Sequence, residues 1–380
     1  MKTIVHVTCD FPDPMVGAKT RSVQNLVENT AGHYRHVVYS LNRANWKTGV
    51  VPLKFGVDRT ALSYGAPPKG LFHASRLKPV AAWILDDLRA NGVSPDVIHA
   101  HKLSVEGLIA LDMSQALGRP FVCDIWGDTD LKICEARRDL APKWKAILND
   151  AAAIFPCAPW ATDKFEALFG IDRAKATVLP PIVKHDSFTE PTAAGGPRLV
   201  TLFNMNVHRR KNFAGLVAAV NEVAKSVPDV TLDVWGVGGP EALSEVTEII
   251  AKAGAGGRVT LKGPLPEGEF ESVLNGYVAF VMPTLRETFG MVFVEALFCG
   301  LPILYTQGWS VDGLFKPEEV GYAWNGQPDD VARGLRHLIA NERPLKASIA
   351  ALHARGGLDP YKRDGVVATY RGVIDGVLGT

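Results

Sequence analysis

The chain has 380 residues, of which 47% are hydrophobic and 21% charged, and its formal net charge is +1. This composition is typical of a globular protein, and at about 150 residues per domain the length predicts two domains. The near-neutral charge argues against nucleic acid as a partner, because neutralising a phosphate backbone requires a large basic surface.

Strands and helices alternate through the first half of the chain. The apolar pattern predicts strands at 3–8, 36–41, 96–100, 120–125, 152–156 and 177–179, and helices at 22–29, 80–91 and 106–117. Such βα alternation predicts a parallel sheet with helices on both faces. After the first strand, the loop 10–19 contains Gly17 and Ala18, which would let the backbone approach a phosphate or an acceptor, and Lys19 is a further candidate contact.

The segment 43–78 interleaves basic and aromatic residues. Its cations and its aromatic side chains are Arg43, Lys47, Lys54, Arg59, Lys69, Arg76 and Lys78, with Trp46, Phe55, Tyr64 and Phe72. This pattern favours docking on an anionic membrane or an anionic acceptor, and a solvated loop with apolar anchors is the alternative.

Two pairs of polar residues follow predicted strands in this half. His99 and His101 end the strand at 96–100, and we expect them to face opposite ways, so that at most one reaches a ligand. Asp128 and Asp130 have the spacing of a metal-binding carboxylate pair, but no other oxygen ligands lie nearby in sequence, so a capping or surface role is favoured.

Residues 191–197, small and proline-bounded, predict a flexible linker between a first domain at 1–190 and a second at 198–358. The second domain repeats the alternation. Strands are predicted at 198–203, 231–235, 259–262, 277–282 and 303–305, and helices at 213–226 and 240–253. A final helix at 359–378 is also predicted. The expected fold class is α/β, with two doubly wound Rossmann-like domains facing a cleft.

A basic turn, Arg209-Arg210-Lys211-Asn212, precedes the helix predicted at 213–226. Cations at a helix N-terminus oppose the helix dipole unless an anion joins them. Since broken local rules cluster at functional sites, the turn favours anion binding, with a solvated basic turn as the alternative.

The most informative segment is Met282–Pro302, in which Glu287 and Glu295 straddle Gly290. The pattern predicts a strand, a loop carrying Glu287, and a helix that contains Glu295 and ends at Gly300 before Pro302. The start of this helix would offer the N–H groups of Gly290, Met291 and Val292 to a phosphate or sugar oxygen. Two solvated carboxylates beside an ordinary helix cap are the alternative.

Taken together, these motifs resemble the retaining glycosyltransferases of family 4, which have the GT-B architecture. The similarity keeps chain order over most of the sequence, and its motifs lie at 95–101, 118–122, 210–212, 235–238, 259–263 and 283–302. The resemblance implies a nucleotide-diphosphate sugar, UDP- or GDP-linked, in the C-terminal domain. It implies Arg210 and Lys211 at the pyrophosphate, Glu295 at the ribose, and Glu287 with Phe289 and the Gly290–Val292 amides at the sugar.

The resemblance further implies a retaining mechanism without a metal or other cofactor, and a final helix that packs back on the first domain. Two positions depart from the family pattern. Trp126 stands where many members have a histidine that approaches the donor sugar, so Trp126 would stack on a sugar or Asp128 would take over the role. Residues 204–208 lack the expected arginine, so either Arg209 or Arg210 must serve.

The function expected from these observations is transfer of a sugar to a glycan or glycolipid in bacterial surface polysaccharide synthesis. Gly17, Lys19, His101, Trp126 and Asp128 are the candidates for the opposite side of the site. A nucleotide-sugar epimerase of the same fold and an inactive nucleotide-sugar-binding subunit are the alternatives. The five dispersed cysteines, the lack of a signal-peptide pattern and the lack of an apolar run of roughly 18 residues lead us to expect a cytoplasmic protein, peripheral to the inner membrane face at most.

Overall fold

The computed structural model describes residues 1–17, 19–67 and 71–380, so Ala18 and Lys69 of the predicted sites lie outside the described residues. The chain divides into two compact units. The N-terminal unit comprises Met1–Ile182 with Arg363–Thr380, and the C-terminal unit comprises Val183–Lys362. The boundary therefore falls after Ile182, and residues 191–197, predicted as a linker, belong to the C-terminal unit.

The N-terminal unit is built on a seven-stranded sheet. Its strands are β1 (Lys2–Thr8), β2 (Tyr34–Ala44), β3 (Val51–Lys54), β4 (Arg59–Gly65), β5 (Val97–Ala100), β6 (Phe121–Ile125) and β7 (Ala153–Pro156). The order across the sheet is β3-β4-β2-β1-β5-β6-β7, with every pairing parallel except the antiparallel edge strand β3. Its helices are α1 (Ser22–Thr30), α2 (His73–Ala90), α3 (Glu106–Leu117), α4 (Asp128–Ala136), α5 (Ala141–Asp150), α6 (Pro159–Phe169) and, at the C-terminus of the chain, α14 (Arg363–Leu378).

The C-terminal unit has a six-stranded parallel sheet of order β10-β9-β8-β11-β12-β13. Its strands are β8 (Arg198–Leu202), β9 (Thr231–Trp235), β10 (Val259–Gly263), β11 (Ala279–Val281), β12 (Ile303–Thr306) and β13 (Gly321–Trp324). Its helices are α7 (Phe213–Ala224), α8 (Pro240–Lys252), α9 (Phe270–Asn275), α10 (Met291–Phe298), α11 (Pro317–Val320), α12 (Pro328–Ala340) and α13 (Glu342–Ala354).

The predicted elements of the βα alternation are present, with two differences. Residues 177–179 form no strand, although Ala176 makes an isolated bridge to Ile154. The final α-helix begins at Arg363, because residues 359–361 form a short 3₁₀ turn. The apolar side of this helix places Val366, Tyr370 and Ile374 in the sheet's core, each at most 1% exposed.

The segment after Val183 is held by polar contacts within the C-terminal unit. The buried Lys346 ammonium donates to the carbonyls of Thr192 (2.5 Å) and Tyr277 (2.7 Å) and to Glu342 (2.8 Å). The Ala194 N–H donates to the same Glu342 carboxylate at 2.7 Å. These hydrogen bonds pair the buried ammonium of Lys346, which would otherwise be costly to bury. They also hold Thr192 and Ala194 in place, within the segment 191–197 that was predicted to be a flexible linker.

Among the described residues, no helix combines the length and the apolar character that crossing a membrane requires. The five cysteines are free thiols, and all but Cys9 are buried.

Candidate functional site in the C-terminal unit

The strand order of the C-terminal sheet reverses between β8 and β11, which are neighbours in space but not in sequence. In open parallel sheets of this kind, ligands bind beyond the carboxyl ends of the strands where the order reverses. The loops that follow β8 and β11 are the two segments singled out in the sequence, since they carry Arg210 and Lys211 on one side and Glu287 on the other. The topology therefore brings the two motifs to one place.

Gly290 determines how the second loop enters its helix. It directly precedes α10 with φ of +71°, a left-handed conformation that favours glycine. A Cβ there would also lie 2.7 Å from the ring of Phe293. Because the first amides of a helix have no intrahelical partner, Met291 and Val292 present N–H groups at the start of α10. The helix ends at Phe298, and Gly300 at φ of +67° follows it, which confirms the predicted glycine stop.

Lys211 and Glu287 form an ion pair across the two loops. Each side chain is only 11% exposed, so the pair is well shielded from water. Partial burial strengthens the attraction between the charges and makes an unpaired member costly. The structure thus combines one cation from the predicted basic turn with the first carboxylate of the Glu287–Glu295 segment.

The other two cations of the basic turn have different surroundings. Arg209 donates to Glu245 of α8 at 2.9 Å, and His208 contacts the same carboxylate at 2.6 Å. Arg210 is exposed, and its carbonyl accepts from the N–H of Leu285 at 2.9 Å. Arg210 is therefore the arginine of the turn whose backbone is tied to the Glu287 loop.

Two threonines that were not among the predicted site residues hold these loops together. The buried Thr284 hydroxyl lies 3.3 Å from the Arg210 carbonyl, and the Thr306 hydroxyl donates to the Thr284 carbonyl at 2.5 Å. The Ser310 N–H donates to the Glu287 carbonyl at 3.0 Å. Hydrogen bonds thus connect the segments at the ends of the neighbouring strands β8, β11 and β12. They hold the backbone in place on both sides of the Lys211–Glu287 pair.

Glu295 lies on α10 at the wall of a separate cavity of about 370 Å³. The cavity is also lined by Lys184, His185, Leu202, Leu265 and Phe270. The imidazole of His185 stacks on Phe270, with the ring centroids 4.0 Å apart. One oxygen of Glu295 accepts from the Lys184 N–H at 2.9 Å. Burial raises the pKa of Glu295, although backbone N–H groups of Lys184 and His185 oppose that shift.

Candidate residues in the N-terminal unit

The loop after β1 is pinned by the residue predicted to contact a ligand there. Lys19 Nζ donates to Asp13 (2.7 Å), to the Ser40 hydroxyl (2.9 Å) and to the Leu41 carbonyl (3.2 Å). Those hydrogen bonds leave Lys19 only 9% exposed, which indicates a structural role in fastening the loop to β2. Gly17 is exposed, with nothing within 4 Å of the position its Cβ would take.

Trp126 and Asp128 lie where β6 passes into α4. Trp126 is half-buried, and its indole N–H donates to Asp124 at 2.8 Å. Gly127, between them, has φ of +74°, and a Cβ there would come within 2.2 Å of Trp160. Asp128 is buried at the start of α4 and accepts from Lys132 at 2.8 Å. Asp130 accepts from the N–H groups of Leu103 and Ser104, which agrees with the predicted capping of backbone rather than a metal site.

The prediction that His99 and His101 face opposite ways is wrong. Residues two apart on a strand share a face, and both imidazoles contact the carboxylate of Asp124, at 2.6 and 2.7 Å. Both histidines are buried. Asp124 was not among the predicted site residues, although a charged residue in the otherwise apolar strand Phe121–Ile125 is a signal that the sequence contains.

The predicted aromatic anchors of residues 43–78 separate into two groups. Tyr64 is buried, and Phe55 packs against the core through Phe11, so neither is available to a membrane. Trp46 and Phe72 are exposed, at 49% and 69%. The segment also contains β3, β4 and the start of α2, so it is not one continuous loop.

Comparisons with known proteins agree with this architecture. The family described as "Glycosyl transferases group 1" matches residues 186–352, and the family "Glycosyl transferase 4-like domain" matches residues 17–181. A D-inositol 3-phosphate glycosyltransferase of Paenarthrobacter aurescens is 26% identical over 305 residues, which are 74% of each chain.

Two solved structures share the fold over the whole chain. Sucrose-phosphate synthase from Thermosynechococcus elongatus has a TM-score of 0.71 at 16% identity and covers 100% of both chains. Anabaena HepE in complex with UDP-glucose has a TM-score of 0.66 at 14% identity and also covers 100% of both. The fold is therefore GT-B, with two parallel-sheet α/β domains. Since the two family matches together span nearly the entire sequence, the chain belongs to the group 1 glycosyltransferases of the family-4-like type.

Proposed function

We propose that this chain transfers a sugar from a nucleotide-diphosphate sugar to a glycan or glycolipid acceptor, with retention of the anomeric configuration. The observation that carries the proposal is the Lys211–Glu287 pair beside the start of α10, where the strand order of the sheet reverses. A cation and a helix N-terminus together favour a diphosphate. Glu287 is then placed to accept from hydroxyls of the attached sugar.

In this proposal Arg210 and Lys211 neutralise the charge that develops on the leaving pyrophosphate, a task that a metal ion performs in other transferases. Glu295 accepts from the ribose hydroxyls, with the base in the cavity beside the His185–Phe270 stack. The UDP-glucose complex of HepE supports a UDP-linked donor for this chain. Retention and a role in surface polysaccharide synthesis rest on the family resemblance. We assign Trp126 to the sugar or acceptor, because it follows β6 at the carboxyl edge of the N-terminal sheet.

A thermal-shift screen over nucleoside diphosphates and their sugars tests the donor assignment, because a ligand that binds only the folded state raises the melting midpoint. At about 100 times the dissociation constant, we expect the best ligand to raise the midpoint by roughly 5 °C or more. Glu295→Ala should lose this shift, whereas Glu241→Ala, at an exposed carboxylate on α8, should keep it. No shift with any nucleotide would overturn the proposal.

Product analysis then separates the proposed reaction from its alternatives. Transfer should require an acceptor, and proton NMR of the product should show the donor's anomeric configuration. Conversion of the donor sugar without any acceptor would instead identify an epimerase.

We also propose that the exposed aromatic side chains of residues 43–78 touch an anionic membrane surface. Trp46 and Phe72 are exposed, as is the aliphatic Val57, and the Lys47 ammonium lies 5.5 Å from the Trp46 ring centroid. Such mixed aromatic and basic surfaces bind anionic lipid in a salt-dependent manner. The protein should co-sediment with vesicles containing phosphatidylserine at low salt, and Trp46→Ala/Phe72→Ala should reduce the bound fraction. Equal binding of both proteins, or no binding at all, would contradict this assignment.

A further inference from the structure

A row of polar side chains crosses the buried face of the N-terminal sheet. It runs from His36 on β2 through His6 on β1, His99 on β5 and His101 directly after β5 to Asp124 on β6. The parallel register explains the row, since His6 pairs directly with His99, and residues two apart on a strand point to the same face. Helix α14 covers the row and contributes Tyr370, whose hydroxyl lies 3.1 Å from His99.

All eight ring nitrogens of these four histidines have a partner within 3.1 Å. His36 joins Thr30 (3.1 Å) to His6 (2.8 Å), and His6 joins His36 to His101 (2.9 Å). The ligand atoms of His6, His99 and His101 lie within 4.8 Å of one another, which is compatible with a metal ion. Their nitrogens are already committed to hydrogen bonds, however, so the geometry favours a hydrogen-bonded relay over a metal centre.

The direction of the hydrogen bonds follows from Asp124, whose carboxylate can only accept. Burial lowers the pKa of His6, and it lowers the pKa of His36 and of His101 to about 4, so at neutral pH these three imidazoles carry no charge. In that state His101 donates to Asp124 and accepts from His6, and His6 accepts in turn from His36. His99 also donates to Asp124, and its other ring nitrogen lies 3.1 Å from the Tyr370 hydroxyl.

Asp124 therefore receives three donors: His99, His101 and the indole of Trp126. Burial alone raises the pKa of this carboxyl, but His99 and His101 outweigh that effect and hold the pKa below its ordinary value. A charged acceptor makes a stronger hydrogen bond than a neutral one. The indole is consequently held by a full negative charge within the core.

We propose that Asp124 is a positioning residue that fixes the indole of Trp126 for glycosyl transfer, and that the histidine row and Tyr370 sustain the charge on Asp124. The inference rests on the proposed function, because Trp126 is the group assigned there to the sugar or acceptor. Because Tyr370 of α14 contacts His99, the C-terminal helix also contributes to the orientation of Trp126.

The first test observes the indole itself. The chain has eight tryptophans, so protein labelled with ¹⁵N-tryptophan gives eight indole signals, and Trp126→Phe identifies the relevant one. We expect this signal to be protected from hydrogen exchange and to shift in Asp124→Asn. In Tyr370→Phe, which leaves Asp124 and Trp126 in place, protection should decrease less. An unprotected wild-type signal, or one that Asp124→Asn does not move, would overturn the proposal whether or not transfer activity is found.

The second test measures transfer. Asp124→Asn should lower kcat about 100-fold, the scale of a misplaced contact group, with unchanged affinity for the nucleoside diphosphate. Trp126→Phe should show a similar loss, and the double variant no further loss, because both changes remove one interaction. Additive losses would show that Asp124 acts by another route.

Metal analysis of the purified protein is a further test. A stoichiometric transition metal that is lost in His6→Gln would refute the hydrogen-bonded relay. If Asp124→Asn does not fold, the hydrogen exchange of the wild-type Trp126 indole and the activity of Trp126→Phe still test the proposal: an unprotected indole or full activity would overturn it.

Discussion

Replacing Lys211 by Met is expected to lower kcat about 1,000-fold, which corresponds to about 4 kcal/mol of lost transition-state stabilisation. The ammonium pairs with the Glu287 carboxylate, on the loops where the pyrophosphate is proposed to bind. As the bond to the sugar breaks, negative charge develops on the leaving diphosphate, and a shielded cation stabilises that charge more strongly than an exposed one. The measurement is steady-state transfer at saturating donor and acceptor.

Loss of folding must be separated from loss of catalysis, because Lys211→Met leaves Glu287 without its partner in a poorly hydrated site. The double variant Lys211→Met/Glu287→Gln removes both charges and should recover most of the melting temperature but none of the activity. Lys225→Met provides a matched control, since Lys225 follows α7 and is 73% exposed. Full activity in Lys211→Met would exclude this lysine from the reaction.

Replacing Glu106 by Gln is expected to stabilise the N-terminal unit by about 3 kcal/mol at pH 8 and to have little effect near pH 4. Glu106 is the first residue of α3 and is fully buried, and one of its oxygens accepts from the Cys9 N–H at 2.8 Å. Burial raises the pKa of this carboxyl to about 7, with Lys102 opposing the shift and Asp10 and Asp130 adding to it.

The sign follows from the protons bound in each state. Between the ordinary value of 4.5 and about 7, the folded chain retains the proton that the unfolded chain releases, so stability falls as the pH rises through this window. Gln resembles the protonated form at every pH and avoids that loss. Urea unfolding of the N-terminal unit at several pH values measures the difference, with the exposed Glu135→Gln as the control. A pH-independent difference would show that Glu106 keeps its ordinary acidity.

The sequence predicted the parts of the fold that depend on local pattern. Helix Glu106–Leu117 and strand Thr231–Trp235 have the predicted bounds, because their apolar periodicity and flanking signals agree. The stop of α10 at Gly300 was predictable for the same reason, since the left-handed conformation there suits glycine. The strand predicted at 177–179 failed, because a short apolar run does not reveal whether a neighbouring strand is available to pair with it.

For the site, local patterns led us to predict the basic turn at Arg210 and Lys211 and the carboxylates of Glu287 and Glu295. Residue type and position beside a helix start are local properties, and they suffice to indicate phosphate chemistry. The pairing of Lys211 with Glu287, the contact of Arg209 with Glu245 and the hydrogen bonds of Lys19 within its loop depend on how distant segments pack, and local patterns do not reveal them. The histidine row was likewise beyond the sequence. It joins residues from four strands and the final helix, and such neighbours are set by strand order and register, which one-dimensional periodicity does not contain.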